Sequence, residues 1–90
     1  MESEEIKTIV RGILTKNNFG LKMPNDFATN QSLFLQGVID SFGIFPFVNE
    51  LQARFNIHIK HREIHPGNFE TIENIITFIY KKISDRSEKK

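Results

Sequence analysis

The chain has 90 residues, 39% of them hydrophobic and 26% charged, with a formal net charge of +1 and no cysteine or tryptophan. That content is too apolar for a disordered segment, and no apolar run approaches the ~20 residues that span a bilayer. The absence of cysteine excludes a disulfide framework, a thiolate metal centre and a cysteine nucleophile.

The start, Met1-Glu2-Ser3-Glu4-Glu5, is acidic where a secretion signal is basic, so a soluble, cytoplasmic protein is expected. A chain of this size folds on one core without staples, but it is too small to enclose a deep catalytic cleft. The basic excess gathers at Lys81, Lys82, Arg86, Lys89 and Lys90. It reads as a solvated, frayed helix end rather than a nucleic-acid-binding arm. The expected division is a folded domain over 1–83 and a basic, flexible tail over 84–90.

Ile6, Ile9, Val10, Ile13 and Leu14 recur at the three-four spacing of one helical face. With Ser3 as cap and Glu4 and Glu5 suiting the dipole, the first helix is predicted from Ser3 to Asn17. A long connection follows, from Gly20 to Ile39. Its turn formers alternate with Leu21, Met23, Phe27, Leu33, Phe34, Leu35, Val38 and Ile39, which predicts a loop lying over the core.

Asp40 and Ser41 then stand before a second periodic run, Ile44, Phe45, Val48, Leu51 and Phe55, broadened by Phe47, and Asp or Ser in that place signals a helix start. Pro46, five residues after Ser41, predicts a kink or a tightened first turn, or else a regular helix that begins only near Phe45. Residues 55–59 alternate like a strand but have no partner strand, so an extended linker burying Phe55, Ile57 and Ile59 is expected. Arg62 to Asn68 has room for a short helical turn, interrupted by Pro66-Gly67. Thr71 caps a last helix striped by Ile72, Ile75, Ile76, Ile79 and Ile83, with Phe78 beside it. The predicted fold is all-α: a four-helix bundle with a short third helix and a long first loop.

The chemistry concentrates at Ser41. A serine at a helix start presents its hydroxyl beside unpaired backbone amides and the positive end of the dipole, an environment suited to a phosphodiester on that oxygen. Nothing activates this serine: the three histidines, His58, His61 and His65, lie beyond the second helix, and no triad is in view. An unactivated, exposed serine suits modification by another enzyme.

The segment from Leu33 to Phe42 resembles the prosthetic-group attachment site of acyl carrier proteins and of the related peptidyl and aminoacyl carrier domains. Their pattern, an apolar residue, three positions, Gly, an apolar pair, Asp-Ser and a large apolar residue, reads here as Leu33, Gly37, Val38-Ile39, Asp40-Ser41 and Phe42. Residues 55–59 and 66–71 look like the family's segments after the second helix and before the last, so the similarity runs from the first helix through Lys82.

The resemblance implies that a phosphopantetheinyl transferase, using coenzyme A and magnesium, attaches 4′-phosphopantetheine to Ser41. The arm's thiol then carries an acyl or aminoacyl group as a thioester, so that the missing sulfur is imported. Asp40 would cap the helix and help present Ser41, Gly37 would allow a tight turn, and Phe42 would be a docking knob or else pack on the preceding loop. Phe42, Phe45, Asn49, Glu50, Arg54 and Arg62 form the expected docking set. Partners would be the transferase, a loading ligase and downstream enzymes, with the carrier itself a non-catalytic monomer that needs neither metal nor membrane insertion.

Fatty-acid carriers of this family present an acidic second helix. Here that stretch keeps one carboxylate, Glu50, and leads into Lys60, His61 and Arg62. Since charge complementarity sets encounter rate and excludes wrong partners, a dedicated lipid or secondary-metabolite pathway fits better than general fatty-acid synthesis. If the cargo is sheltered, Phe47, Leu51, Ile59, Ile64 and Ile75 are its expected lining. The alternative is a small helical interaction module in which Ser41 is only a cap. A DNA binder is disfavoured because Arg54 is the single basic residue of helix two. His58, His61 and His65 read as surface histidines before they read as metal ligands.

Overall fold

A computed structural model describes residues 1–16 and 19–88. Among these residues four α-helices follow in order, α1 (Ser3–Lys16), α2 (Ile44–Phe55), α3 (Pro66–Phe69) and α4 (Ile72–Glu88), with one 3₁₀ turn at His61–Glu63. No strand occurs among the described residues, and the architecture is the all-α bundle with one short member that the periodicity predicts. α1 and α3 both pack on α4.

The core is continuous. Ile6, Val10, Ile13 and Leu14 of α1 meet Ile72, Ile75, Phe78 and Ile79 of α4, and Phe47, Val48, Leu51 and Phe55 of α2 close the bundle. Each such side chain contributes about 1.5–3 kcal/mol on full burial. Phe19 meets Phe47 edge-on with ring centroids 5.2 Å apart, and Phe69 tilts against Phe78 at 5.3 Å.

The helix ends show why each helix starts and stops. Ser3 stands inside the first turn of α1 instead of capping it. The Glu2 carbonyl accepts the Ile6 N–H (3.1 Å), the first intrahelical bond, and Glu5 Oε1 accepts the Glu2 N–H (3.0 Å), so the Glu5 carboxylate satisfies one orphan donor ahead of the helix. The expected end at Asn17 lies outside the described residues. Thr71 caps α4 as predicted: its Oγ1 accepts the Asn74 N–H at 3.0 Å and donates to Asn74 Oδ1 at 2.9 Å. α4 runs past Ile83 to Glu88, held there because Arg86 Nη1 donates to the carbonyls of Phe55 (3.0 Å) and Asn56.

α2 ends at Asn56, which takes a left-handed conformation (φ 53°, ψ 51°) and donates its N–H to the Gln52 carbonyl. Asparagine adopts this cap conformation at little steric cost. The Gln52 side chain then accepts the Ile59 N–H at 2.8 Å, so the linker leaves the helix with Ile59 buried and Ile57 half-buried. Pro66 opens α3 rather than interrupting a turn: His65 is extended (φ −145°, ψ 162°) and Pro66 is the first helical residue, where a missing N–H costs nothing.

The long connection lies over the core with Met23, Phe27, Leu33, Val38 and Ile39 buried. Polar ties hold it from both sides. Arg11 donates to the carbonyls of Phe27 (2.9 Å) and Asn25 (3.0 Å), the Leu33 N–H donates to the Glu70 carbonyl (2.7 Å), and the Glu73 N–H to the Thr29 carbonyl (3.1 Å). These bonds satisfy the backbone of a loop that has no ladder of its own. They also fix where the chain arrives at Asp40.

Candidate functional site

Asp40, Ser41, Phe42 and Gly43 form a turn that runs directly into α2. Asp40 Oδ1 accepts the N–H groups of Phe42 (3.0 Å) and Gly43 (2.6 Å), and the Asp40 carbonyl accepts the Ile44 N–H (3.1 Å). This is the helix-cap geometry expected of Asp40. It corrects one expectation about the chemistry: the amides beside Ser41 are not free for an anion, because the Asp40 carboxylate already occupies them. A phosphodiester on Ser41 would keep the dipole and solvent, but not these two donors.

Regular helix begins at Ile44, with Gly43 already in helical dihedrals (φ −71°, ψ −19°). Pro46 is therefore the third residue of α2, inside the first turn, where the amide it lacks has no intrahelical partner to lose. This is the late-start reading. Phe47 is the side chain that enters the core, whereas Phe45, expected on the buried face, is 52% exposed.

The turn is pinned from behind. The Asp40 N–H donates to the Phe19 carbonyl at 3.0 Å and the Leu21 N–H to the Gly37 carbonyl at 2.7 Å. Gly37 has φ +76°, the left-handed region that glycine enters freely. Gly43 approaches the Phe19 backbone so closely that a Cβ there would lie 1.7 Å from the Phe19 carbonyl oxygen. Ser41 and Phe42 are thereby presented outward: both are exposed, Phe42 at 86%.

Beside Ser41 opens a groove of about 530 Å³, walled by Phe34, Ile39, Ile44, Phe45, Ile64 and Phe69, with His61 and His65 at its far side. The two histidines are brought to the groove by the 3₁₀ turn and by the extended residue before Pro66. Sequence spacing gave no sign of this, because the turn that aims them depends on α4. Glu63 ties that turn down: its Oε1 accepts the Lys60 N–H at 2.8 Å and an ion pair from Lys82 of α4 at 2.7 Å. Partial burial by itself would raise the Glu63 carboxyl. The Lys82 and Lys60 bonds and the charges of both lysines outweigh it and hold the group below the ordinary carboxylate value.

Of the expected cargo lining, only Ile64 borders this groove; Phe47, Leu51, Ile59 and Ile75 are consumed by the core itself. His58 lies in a separate depression with Lys60 and Asp85, so the three histidines do not converge. No group of three potential metal ligands is found among the described residues. In the expected docking set, Asn49, Arg54 and Arg62 are exposed and Glu50 is half-buried, paired with Arg54 at 4.0 Å.

The described residues form an all-helical, acyl-carrier-like bundle in which a capped, outward-facing serine stands at the head of the second helix beside an apolar groove. No family model matches the chain. Among curated proteins it is similar to "Probable acyl carrier protein PigG" of a Serratia species, with 28% identity over 81 residues that cover 90% of this chain and 86% of the relative. That relative supports the acyl carrier protein family for this chain, and with it a carrier function at the family level. No helix among the described residues is long and apolar enough to cross a membrane.

Proposed function

We propose that this protein is a non-catalytic carrier that holds acyl intermediates as thioesters on a 4′-phosphopantetheine arm joined to Ser41, in a specialised biosynthetic pathway. The observation that carries the reading is the exposed Ser41 hydroxyl on a rigid, capped turn at the mouth of an apolar groove, in a chain with no sulfur nucleophile of its own.

The residues present suit the arm. Ser41 Oγ is open to a modifying enzyme, and the groove beside it offers apolar walls to a pantetheine chain. When bound, the arm supplies a mobile thiol that forms and exchanges thioesters. The chain's own residues position and present. Asp40 holds the turn, Gly37 and Gly43 let it sit against residues 19–21, and Phe42 stands out as a contact for the transferase. Magnesium and coenzyme A arrive with that enzyme. A loading ligase and the downstream enzymes complete the partner set, and the carrier works as a monomer in the cytoplasm.

The test is direct. The apo protein is incubated with coenzyme A, magnesium and a promiscuous phosphopantetheinyl transferase, then weighed. The expected result is one arm's mass on the wild type and none on Ser41→Ala. Failure to load with every transferase tried favours the interaction module, in which Ser41 is only part of a helix cap.

A further inference from the structure

The 3₁₀ turn and the residues after it hold one exposed side chain in a defined orientation. Ile64 stands at φ −86°, ψ 82°, the middle of an inverse γ-turn, and the His65 N–H donates to the Glu63 carbonyl across it at 3.1 Å. Asn68, half-buried in α3, staples this turn. Its backbone N–H donates to the His65 carbonyl at 2.9 Å, and its Nδ2 donates to the Glu63 carbonyl at 2.8 Å and lies 3.3 Å from His65 Nε2. Glu63 is anchored in turn by its ion pair with Lys82 of α4 at 2.7 Å.

These bonds settle which ring nitrogen of His65 carries the proton. A carbonyl only accepts, so the atom of Asn68 that faces Glu63 is the amide nitrogen, which donates. The second amide hydrogen goes to His65 Nε2, which therefore accepts, and in the neutral ring the proton sits on Nδ1. That N–H has no partner among the described residues. It is also left uncovered: a Cβ on Gly67 would lie 3.1 Å from both Nδ1 and Cε1, and glycine leaves the space empty. Carboxylates around the groove are engaged elsewhere, Asp40 Oδ1 in the cap, Glu63 with Lys82 and Glu70 with the Ser32 hydroxyl. His61 borders the same groove, but no hydrogen bond among the described residues orients its ring.

We propose that His65, oriented by Asn68, is a hydrogen-bond donor for an amide carbonyl of the pantetheine chain, so that the arm borne on Ser41 rests along the groove between encounters with enzymes. The proposal rests on the carrier reading of Ser41 and adds a residue that positions the arm. Ser41 and His65 border one groove, and its walls between them are the apolar side chains of Phe34, Ile39, Ile44, Phe45, Ile64 and Phe69. Its volume of about 530 Å³ is of the size that holds one small ligand. A pantetheine chain laid there places its methyl and methylene groups on those walls, but its amide carbonyls give up water and need a donor. His65 Nδ1 is the oriented donor on that side of the groove. Because the ring is exposed, the bond replaces one to water and biases the arm toward the groove by only about two- to tenfold. A bias of that size holds the arm at rest and still releases it to a partner.

The experiment follows the histidine side-chain nitrogens of the isotope-labelled full chain by NMR. In the apo protein, neutral His65 is expected to be the Nδ1-protonated tautomer. The chain is then loaded with coenzyme A, magnesium and a promiscuous phosphopantetheinyl transferase, and complete loading is verified by mass. On loading, the His65 Nδ1 resonance is expected to shift and its proton to exchange with water about two- to tenfold more slowly, while His58, in a separate depression, stays unchanged. His65→Phe keeps a planar ring without the donor, and the shifts that the arm induces at the Ile39 and Ile64 methyls should shrink by about the same factor. His65→Asn, whose amide can stand in for the Nδ1 N–H, should restore them. Both variants alter an exposed side chain, and circular dichroism should match the wild type. A loaded protein whose His65 does not respond, or a His65→Phe variant that keeps the full methyl shifts, overturns the assignment and leaves the carrier reading standing. A response that appears only once an acyl group is placed on the thiol overturns it in favour of a site for cargo. No loading with any transferase tried overturns both.

Discussion

Replacing Gly43 with alanine adds one methyl group at the point where the Ser41 turn touches the chain behind it. That Cβ would lie 1.7 Å from the Phe19 carbonyl oxygen, 2.4 Å from its carbonyl carbon and 2.8 Å from its Cα. All three atoms are backbone, so no rotamer change relieves the clash; one segment must move by about 1.5 Å to restore ordinary contact. The movement costs overpacking strain of about 1–3 kcal/mol. It also weakens the Asp40 N–H bond to the Phe19 carbonyl, worth about 1 kcal/mol, and disturbs the Phe19–Phe47 ring contact.

A total of about 2–4 kcal/mol corresponds to a fall in melting temperature of roughly 10–25 °C for a domain of this size. The assay is thermal unfolding followed by far-ultraviolet circular dichroism, with Gly12→Ala as the matched control. Gly12 is in the middle of α1 with nothing within 4 Å of the added Cβ. The same chemical change there improves helix propensity and should raise stability by about 0.5–1 kcal/mol. If Gly43→Ala melts within a few degrees of the wild type, the turn is not pinned against Phe19 and the positioning of Ser41 has another origin.

Asp40→Ala removes the acceptor of two backbone N–H groups and is expected to cost about 1 kcal/mol in urea unfolding, with Asp40→Asn recovering most of it. Asn56 holds φ 53° at the end of α2; Asn56→Gly should be within a few tenths of a kcal/mol of the wild type. Asn56→Val should cost about 1–2 kcal/mol, since a β-branched residue resists the left-handed region. Glu63 has a carboxyl held below its unfolded value, so its contribution is present above the unfolded value and is lost as pH falls through the folded one. The melting-temperature gap between wild type and Glu63→Gln should accordingly narrow between about pH 5 and pH 3; a gap that stays constant over that window shows that the Lys82 pair does not stabilise the fold.

Local rules made much of the protein legible. The apolar stripes of α1, α2 and α4 are three-four repeats, and Thr71 and Asp40 are cap residues whose side chains reach amides two or three positions on. Both signals depend on near neighbours in the chain, and both are visible in the residues 40–43 turn and at the start of α4. The late start of α2 was one of two readings Pro46 left open, and the choice fell to Asp40, which takes the Phe42 and Gly43 amides for itself.

Sequence by itself determined the helical class, the chain order of the elements and the place of Ser41 at a helix head, because each follows from periodicity and capping over a few residues. Only the tertiary structure decided that Phe45 faces outward while Phe47 fills the core, that His61 and His65 share a groove with Ser41, and that Leu21 and Leu35, expected to lie over the core, are exposed. Those outcomes depend on contacts across long chain separations, such as Leu33 to Glu70, Glu63 to Lys82 and Arg86 to Phe55. Pairings of that range leave no period in the sequence, since loop closure brings together residues whose spacing is arbitrary.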